Sequence, residues 1–96
     1  MRLYTAVHRR KADIIRVSRR HGARNVRVFG SVARGDETPT SDIDFVVDLD
    51  RGRSLLDLGG LLVDLEKLLR HPVDVVTEKG LRPRIRDRVL KEAIPL

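Results

Sequence analysis

Asp42 and Asp44 stand two residues apart in the run Ser41-Asp42-Ile43-Asp44, the spacing at which an extended chain points both side chains the same way. At about 3.3 Å rise per residue their Cα atoms lie roughly 6.6 Å apart, so both carboxylates can converge on one site. Hard oxygen ligands of this kind suit Mg²⁺, and a carboxylate can bridge two ions held about 3.5 to 4 Å apart for phosphoryl transfer. Asp74, in Val73-Asp74-Val75-Val76, adds a third acid if the two strands pair, since paired strands lie only about 4.8 Å apart. Asp48 shares the face of Asp44 but sits about 13 Å further along the strand. Asp48 and Asp50 are therefore left out of the site.

Upstream, Gly30-Ser31 has the character of a phosphate cradle. Glycine allows close approach, the backbone N–H groups of a following helix start attract anions, and the Ser31 hydroxyl adds a donor. No Gly-x-x-x-x-Gly-Lys-Ser/Thr run and no Gly-x-Gly-x-x-Gly fingerprint occurs, which excludes a P-loop and a dinucleotide-binding turn. Arg34 has two readings, a clamp on phosphate or an ion pair with Asp36 or Glu37. Gly35 is expected in a positive-φ turn and Ser41 as a brace for the loop before the aspartates. His8, His21 and His71 show no ligand spacing and are read as non-catalytic.

These residues need elements to hold them. Residues 5–20 read as one amphipathic helix ended by Gly22. Residues 26–29 read as a strand running into the Gly30-Ser31 turn. From Asp42 to Leu49 the pattern alternates, with Ile43, Phe45, Val47 and Leu49 on a core face and Asp42, Asp44, Val46 and Asp48 on the other. Ser54 with Asp57 makes a capping box for a leucine-rich helix in which Leu55, Leu58, Leu62, Leu65 and Leu69 form the expected core stripe, widened by Leu56, Leu61, Val63 and Leu68. Gly59-Gly60 inside it points to close packing or a kink. Pro72 opens a third strand with Val73 and Val75 on one face, and Pro83 opens a basic helix with Leu81, Ile85 and Val89 inward, ending near Ala93. The order is α-β-(turn)-β-α-β-α.

Composition bounds the function. Ninety-six residues with 41% hydrophobic and 35% charged suit one globular domain, spanning 1–96. A chain of this size has little surface left for an acceptor domain, so the acceptor or a second subunit is expected to complete the cleft. The absence of cysteine excludes disulfides, thiolate catalysis and Cys-built metal centres. A net charge of +6 favours polyanions, whether nucleotide, RNA or acidic protein, and does not choose among them. With no long apolar run and no signal-peptide core, a soluble, cytoplasmic protein without a membrane partner is expected.

The run from Phe29 through Gly35, continued by residues 41–47 and by residues 73–76 after the leucine-rich helix, resembles the minimal nucleotidyltransferases of the DNA polymerase beta superfamily. The likeness covers nearly the whole chain, and no motif position is missing. It implies an α/β fold, a small mixed sheet with helices packed against it. By the same resemblance, Gly30 and Ser31 hold the β- and γ-phosphates of a nucleoside triphosphate and Asp42 and Asp44 bind Mg²⁺. Asp74 ligates a second ion and helps activate an acceptor hydroxyl, which attacks the α-phosphorus and expels pyrophosphate. The implied reaction moves AMP, or another nucleoside monophosphate, from ATP or a related triphosphate to a hydroxyl of a partner macromolecule. Similar small proteins often accompany a HEPN-domain RNase toxin and act as antitoxins that bind it or adenylylate it. A binding module that neutralises its partner by contact is the alternative, and an RNA acceptor stays open.

Overall fold

The computed structural model describes residues 2–96. Its elements in chain order are α1 (Leu3–Arg9), α2 (Lys11–Arg20), β1 (Ala23–Phe29), α3 (Gly30–Arg34), β2 (Ile43–Leu49), α4 (Leu55–Leu69), β3 (Val73–Thr77), α5 (Pro83–Glu92) and β4 (Ile94–Pro95). The four strands form one mixed sheet in the order β3-β2-β1-β4. β1 runs antiparallel to β2 and β4, whereas β2 and β3 are parallel, α4 making the crossover. The α/β fold expected from the sequence is thus present.

The core lies on one face of the sheet. Ile43, Phe45 and Val47 of β2, Val28 of β1, and Val73 and Val75 of β3 pack with Val7 of α1, Ile14 of α2, and Leu61 and Leu65 of α4. The β2 alternation delivers this layer, because a period of two sends every other side chain to the helices. Val46, on the opposite face, is also fully buried. It lies between Arg27 of β1 and Val76 of β3 in the ladder, so this face is not simply a solvated row of carboxylates.

The N-terminal helix is two helices. Arg10 leaves the helical region at φ −101°, ψ 15°, and its N–H bonds to Val7 at 3.1 Å, a tightened turn that ends α1. Asp13 then stands in the first turn of α2, where a carboxylate favours the helix N-terminus, and pairs with Arg10 and Arg16. No Gly or Pro marks this break.

The capping box of α4 forms as expected, with Ser54 accepting from Leu56 N–H at 3.2 Å and the Asp57 carboxylate accepting from Ser54 N–H at 2.9 Å. The stripe differs from the heptad expectation. Leu61 and Leu65 are fully buried, while Leu55 and Leu56 are 82% and 88% exposed. A 3.6-residue period carries Leu58, Leu61, Leu62, Leu65, Leu68 and Leu69 to the core and leaves the first turn outside it. Gly60 is where α4 meets the His21 ring: a β-carbon there would stand 2.9 Å from it. The helix runs through both glycines, so close packing explains that one.

Pro83 opens α5 at its first turn. Val89 is buried there, but Ile85 is 41% exposed, so the inward face is narrower than expected. The short β4, which adds to the β1 edge through Ile94, carries no sequence signal of its own.

Candidate active site

Asp44 and Asp74 meet on the sheet's second face, where Asp44 reaches the start of α3. Asp44 is the Cα partner of Phe29 in the antiparallel β1–β2 ladder and of Asp74 in the parallel β2–β3 ladder. Paired residues in a ladder point to the same face, so Asp44 and Asp74 are side by side. Asp42 precedes β2 by one residue and is exposed, as is Asp74, while Asp44 is half-buried. Asp48 lies at the far end, bonded to Arg27 at 3.3 Å and Asn25 at 3.0 Å. Its exclusion from the cluster agrees with the sequence reading.

Gly30 is required twice over. Its φ of +74° belongs to the left-handed region, and the Asp44 carboxylate occupies the space a β-carbon would need, with Asp44 Cγ 3.2 Å from that position. The backbone bend at Gly30 turns β1 directly into α3, bringing the first turn of that helix against Asp44. No side chain caps α3 at its N-terminus. Gly35 ends it at φ +81°, the positive-φ turn expected.

Burial pushes the Asp44 carboxyl up to about 6, and the neighbouring charges of Asp74 and then Asp42 push in the same direction. Arg34 opposes this from the positive side. That guanidinium pairs with Glu92 of α5 at 2.8 Å and with Asp36 at 3.1 Å, which together hold it even more firmly protonated than an ordinary arginine. Of the two sequence readings of Arg34, the ion pair with Asp36 is therefore present. Glu92 is the partner that sequence reasoning missed, being 58 residues away with no local signal.

Ser41 braces the loop as expected, its hydroxyl accepting from Thr38 N–H at 2.9 Å. The histidines have separate settings. His8 stacks on Tyr4 with ring centroids 6.2 Å apart. His21 bonds Asp64 at 2.7 Å, and His71 Nε2 donates to the Ser41 carbonyl at 2.6 Å. Among the described residues no three Asp, Glu or His side chains are already gathered as a metal cluster. The donor set is nonetheless one of hard oxygens, with the charges of Asp74 and Asp42 close enough to add to the burial that raises the proton affinity of Asp44. That chemistry fits a divalent cation such as Mg²⁺.

Residues 14–96 match the family model described as a nucleotidyltransferase domain. The chain belongs to that family. This nucleotidyltransferase is 43% identical over 84 residues to a candidate protein adenylyltransferase of Methanocaldococcus jannaschii, covering 88% of this chain and 90% of the relative. It is also 40% identical over 75 residues to the protein adenylyltransferase MntA of Thermococcus cleftensis, covering 78% of this chain and 76% of that one. A solved structure described as a candidate minimal nucleotidyltransferase superposes with a TM-score of 0.87 at 52% identity, covering 100% of this chain and 97% of the other. A toxin–antitoxin crystal structure with AMP-PNP shares the fold at a TM-score of 0.76 and 22% identity, covering 88% of this chain and 70% of that one. Among the described residues of the nucleotidyltransferase, no helix is long and apolar enough to cross a membrane.

Proposed function

We propose that the chain is a divalent-metal-dependent adenylyltransferase that moves AMP from ATP to a hydroxyl on a partner protein, a HEPN-type RNase toxin that it thereby restrains. The observation that carries this reading is the seat of Asp44, in register with Asp74 and pressed against Gly30 at the start of α3. Relatives named as protein adenylyltransferases support the choice of AMP and of a protein acceptor. The HEPN partner and a cytoplasmic setting rest on the motif resemblance.

Asp42, Asp44 and Asp74 would hold Mg²⁺, which when bound supplies charge neutralisation for the triphosphate. Gly30 and the uncapped start of α3 offer backbone N–H groups to the β- and γ-phosphates, with the Ser31 hydroxyl as a further donor. Arg34 adds positive charge beside this cradle while bound to Asp36 and Glu92. In the transfer a bond forms from the acceptor oxygen to the α-phosphorus and the bond to pyrophosphate breaks. Asp74, exposed at the edge of the cluster, helps remove the hydroxyl proton. Such a reaction depends on positioning and electrostatics more than on covalent chemistry by the protein.

The test is incubation with Mg²⁺ and each α-phosphate-labelled nucleoside triphosphate in a lysate of the source organism. Label from ATP on a protein, lost with Asp44→Asn, is the expected result. A folded Asp42→Asn/Asp44→Asn double mutant that still transfers label would overturn the catalytic assignment. Equal neutralisation of the partner by that mutant, without transfer, would support neutralisation by contact instead.

A further inference from the structure

The segment that leads into Asp74 also grips both sides of Asp42. On one side, His71 Nε2 donates to the Ser41 carbonyl at 2.6 Å. On the other, Ile43 N–H donates to the Pro72 carbonyl at 3.0 Å, after which the parallel ladder begins at Ile43 and Val73. The grip is itself anchored, because the Glu66 carboxylate of α4 accepts from Val73 N–H at 3.0 Å. Of these tethers only the first is made by a replaceable donor side chain. A carbonyl can only accept, so Nε2 carries the proton in this contact.

We infer that His71 is a positioning residue for Asp42, its Nε2–H fixing the Ser41–Asp42 peptide so that the Asp42 carboxylate is held toward Asp44 and Asp74. The inference rests on the reading of Asp42 as a metal ligand. Its physical content is orientation. The Ser41 carbonyl belongs to the peptide plane that includes Asp42 N and Cα, so pinning that oxygen limits the backbone motion that would re-aim the Asp42 side chain. Asp42 lies outside β2 and has no ladder partner of its own, so His71 supplies locally what pairing supplies for Asp44. Groups behind metal ligands commonly set affinity in this way, and losing one typically weakens metal binding about 10- to 100-fold.

The experiment compares full-length wild type, His71→Phe, His71→Gln and Asp42→Asn. Mn²⁺ binding is measured by electron paramagnetic resonance with a non-hydrolysable ATP analogue present, alongside the Mg²⁺ concentration giving half-maximal transfer. His71→Phe keeps a ring but loses the donor, and about tenfold weaker Mn²⁺ binding is expected, with kcat recovered at saturating Mg²⁺. His71→Gln retains an N–H donor and should restore most of the affinity. Wild-type Mn²⁺ affinity in His71→Phe, or equal weakening in both variants, would overturn the inference. His71→Leu provides the same loss of donor if the Phe variant does not fold. Unchanged Mn²⁺ binding in Asp42→Asn would overturn the metal-ligand reading itself. Loss there without loss in the His71 variants would overturn only the role of His71.

Discussion

The carboxylate of Asp44 lies in the space that a β-carbon on Gly30 would occupy. The glycine that opens α3 is thereby tied to an acid near the start of β2, an inner strand of the sheet. The tie makes the turn into α3 and the acidic cluster a single unit, and it separates the effects of substitution on stability and on chemistry.

Gly30→Ala should cost about 1–2 kcal/mol through its left-handed backbone alone. It should also swing the Asp44 carboxylate away, so AMP transfer falls further than that stability loss accounts for. Urea unfolding paired with a transfer assay under conditions where the variant remains folded checks both. Wild-type transfer by the variant would show that Asp44 need not sit where it does.

Asp44 also predicts a pH dependence. The folded protein holds its proton up to about 6, whereas the ordinary value is 3.8, so between these the folded state binds more protons than the unfolded chain. Stability from this group therefore falls as pH rises through that window and stays lowered above it. In EDTA-treated protein, Asp44→Asn should be more stable than wild type above pH 6 and should flatten the profile below, while losing transfer. Added Mg²⁺ should stabilise wild type and not the variant, since a nearby cation favours the ionised carboxyl. Denaturation curves across pH, with and without Mg²⁺, provide the readout.

Asp48→Asn is the contrasting case. Arg27, only 8% exposed in its side chain, bonds Asp48 and Glu78, and losing one charged partner should destabilise the fold by about 1–2 kcal/mol. Transfer by the folded fraction should be unchanged, because Asp48 lies at the other end of β2. A drop in kcat at full folding would place Asp48 in the site after all.

Ser54→Ala removes the α4 cap and should cost about 1 kcal/mol, with transfer kinetics intact. Thermal unfolding and steady-state rates on the same preparation test it. Ser54→Asp should recover most of the loss, since aspartate caps equally well.

The alternation of β2, the Ser54–Asp57 box, Pro83 at the start of α5 and the Asp42–Asp44 spacing were all legible in the chain itself. Each depends on neighbours within about one turn or a few strand residues, where period and cap chemistry act locally. The helix break at Arg10 was not legible, because no Gly or Pro stands there. The exposure of Leu55 and Leu56 was not legible either, since a leucine count cannot tell where the underlying sheet and core stop.

What tertiary structure decided is who meets whom across long stretches of chain. Parallel pairing of β2 with β3 sets Asp74 beside Asp44, and the bend at Gly30 brings α3 onto them. Arg34 finds Glu92 at 58 residues' separation, and His71 finds the carbonyl before Asp42 at 30. Such contacts follow from how layers pack once apolar faces are buried, and no local period encodes them. The amino-acid sequence by itself determined the chemical groups available, the carboxylates of Asp42, Asp44 and Asp74 and the Gly30-Ser31 turn, because residue type and short-range spacing suffice for that. The packed fold decided the common face of Asp44 and Asp74 and the raised proton affinity of Asp44, because burial and neighbouring charge exist only after the segments have come together.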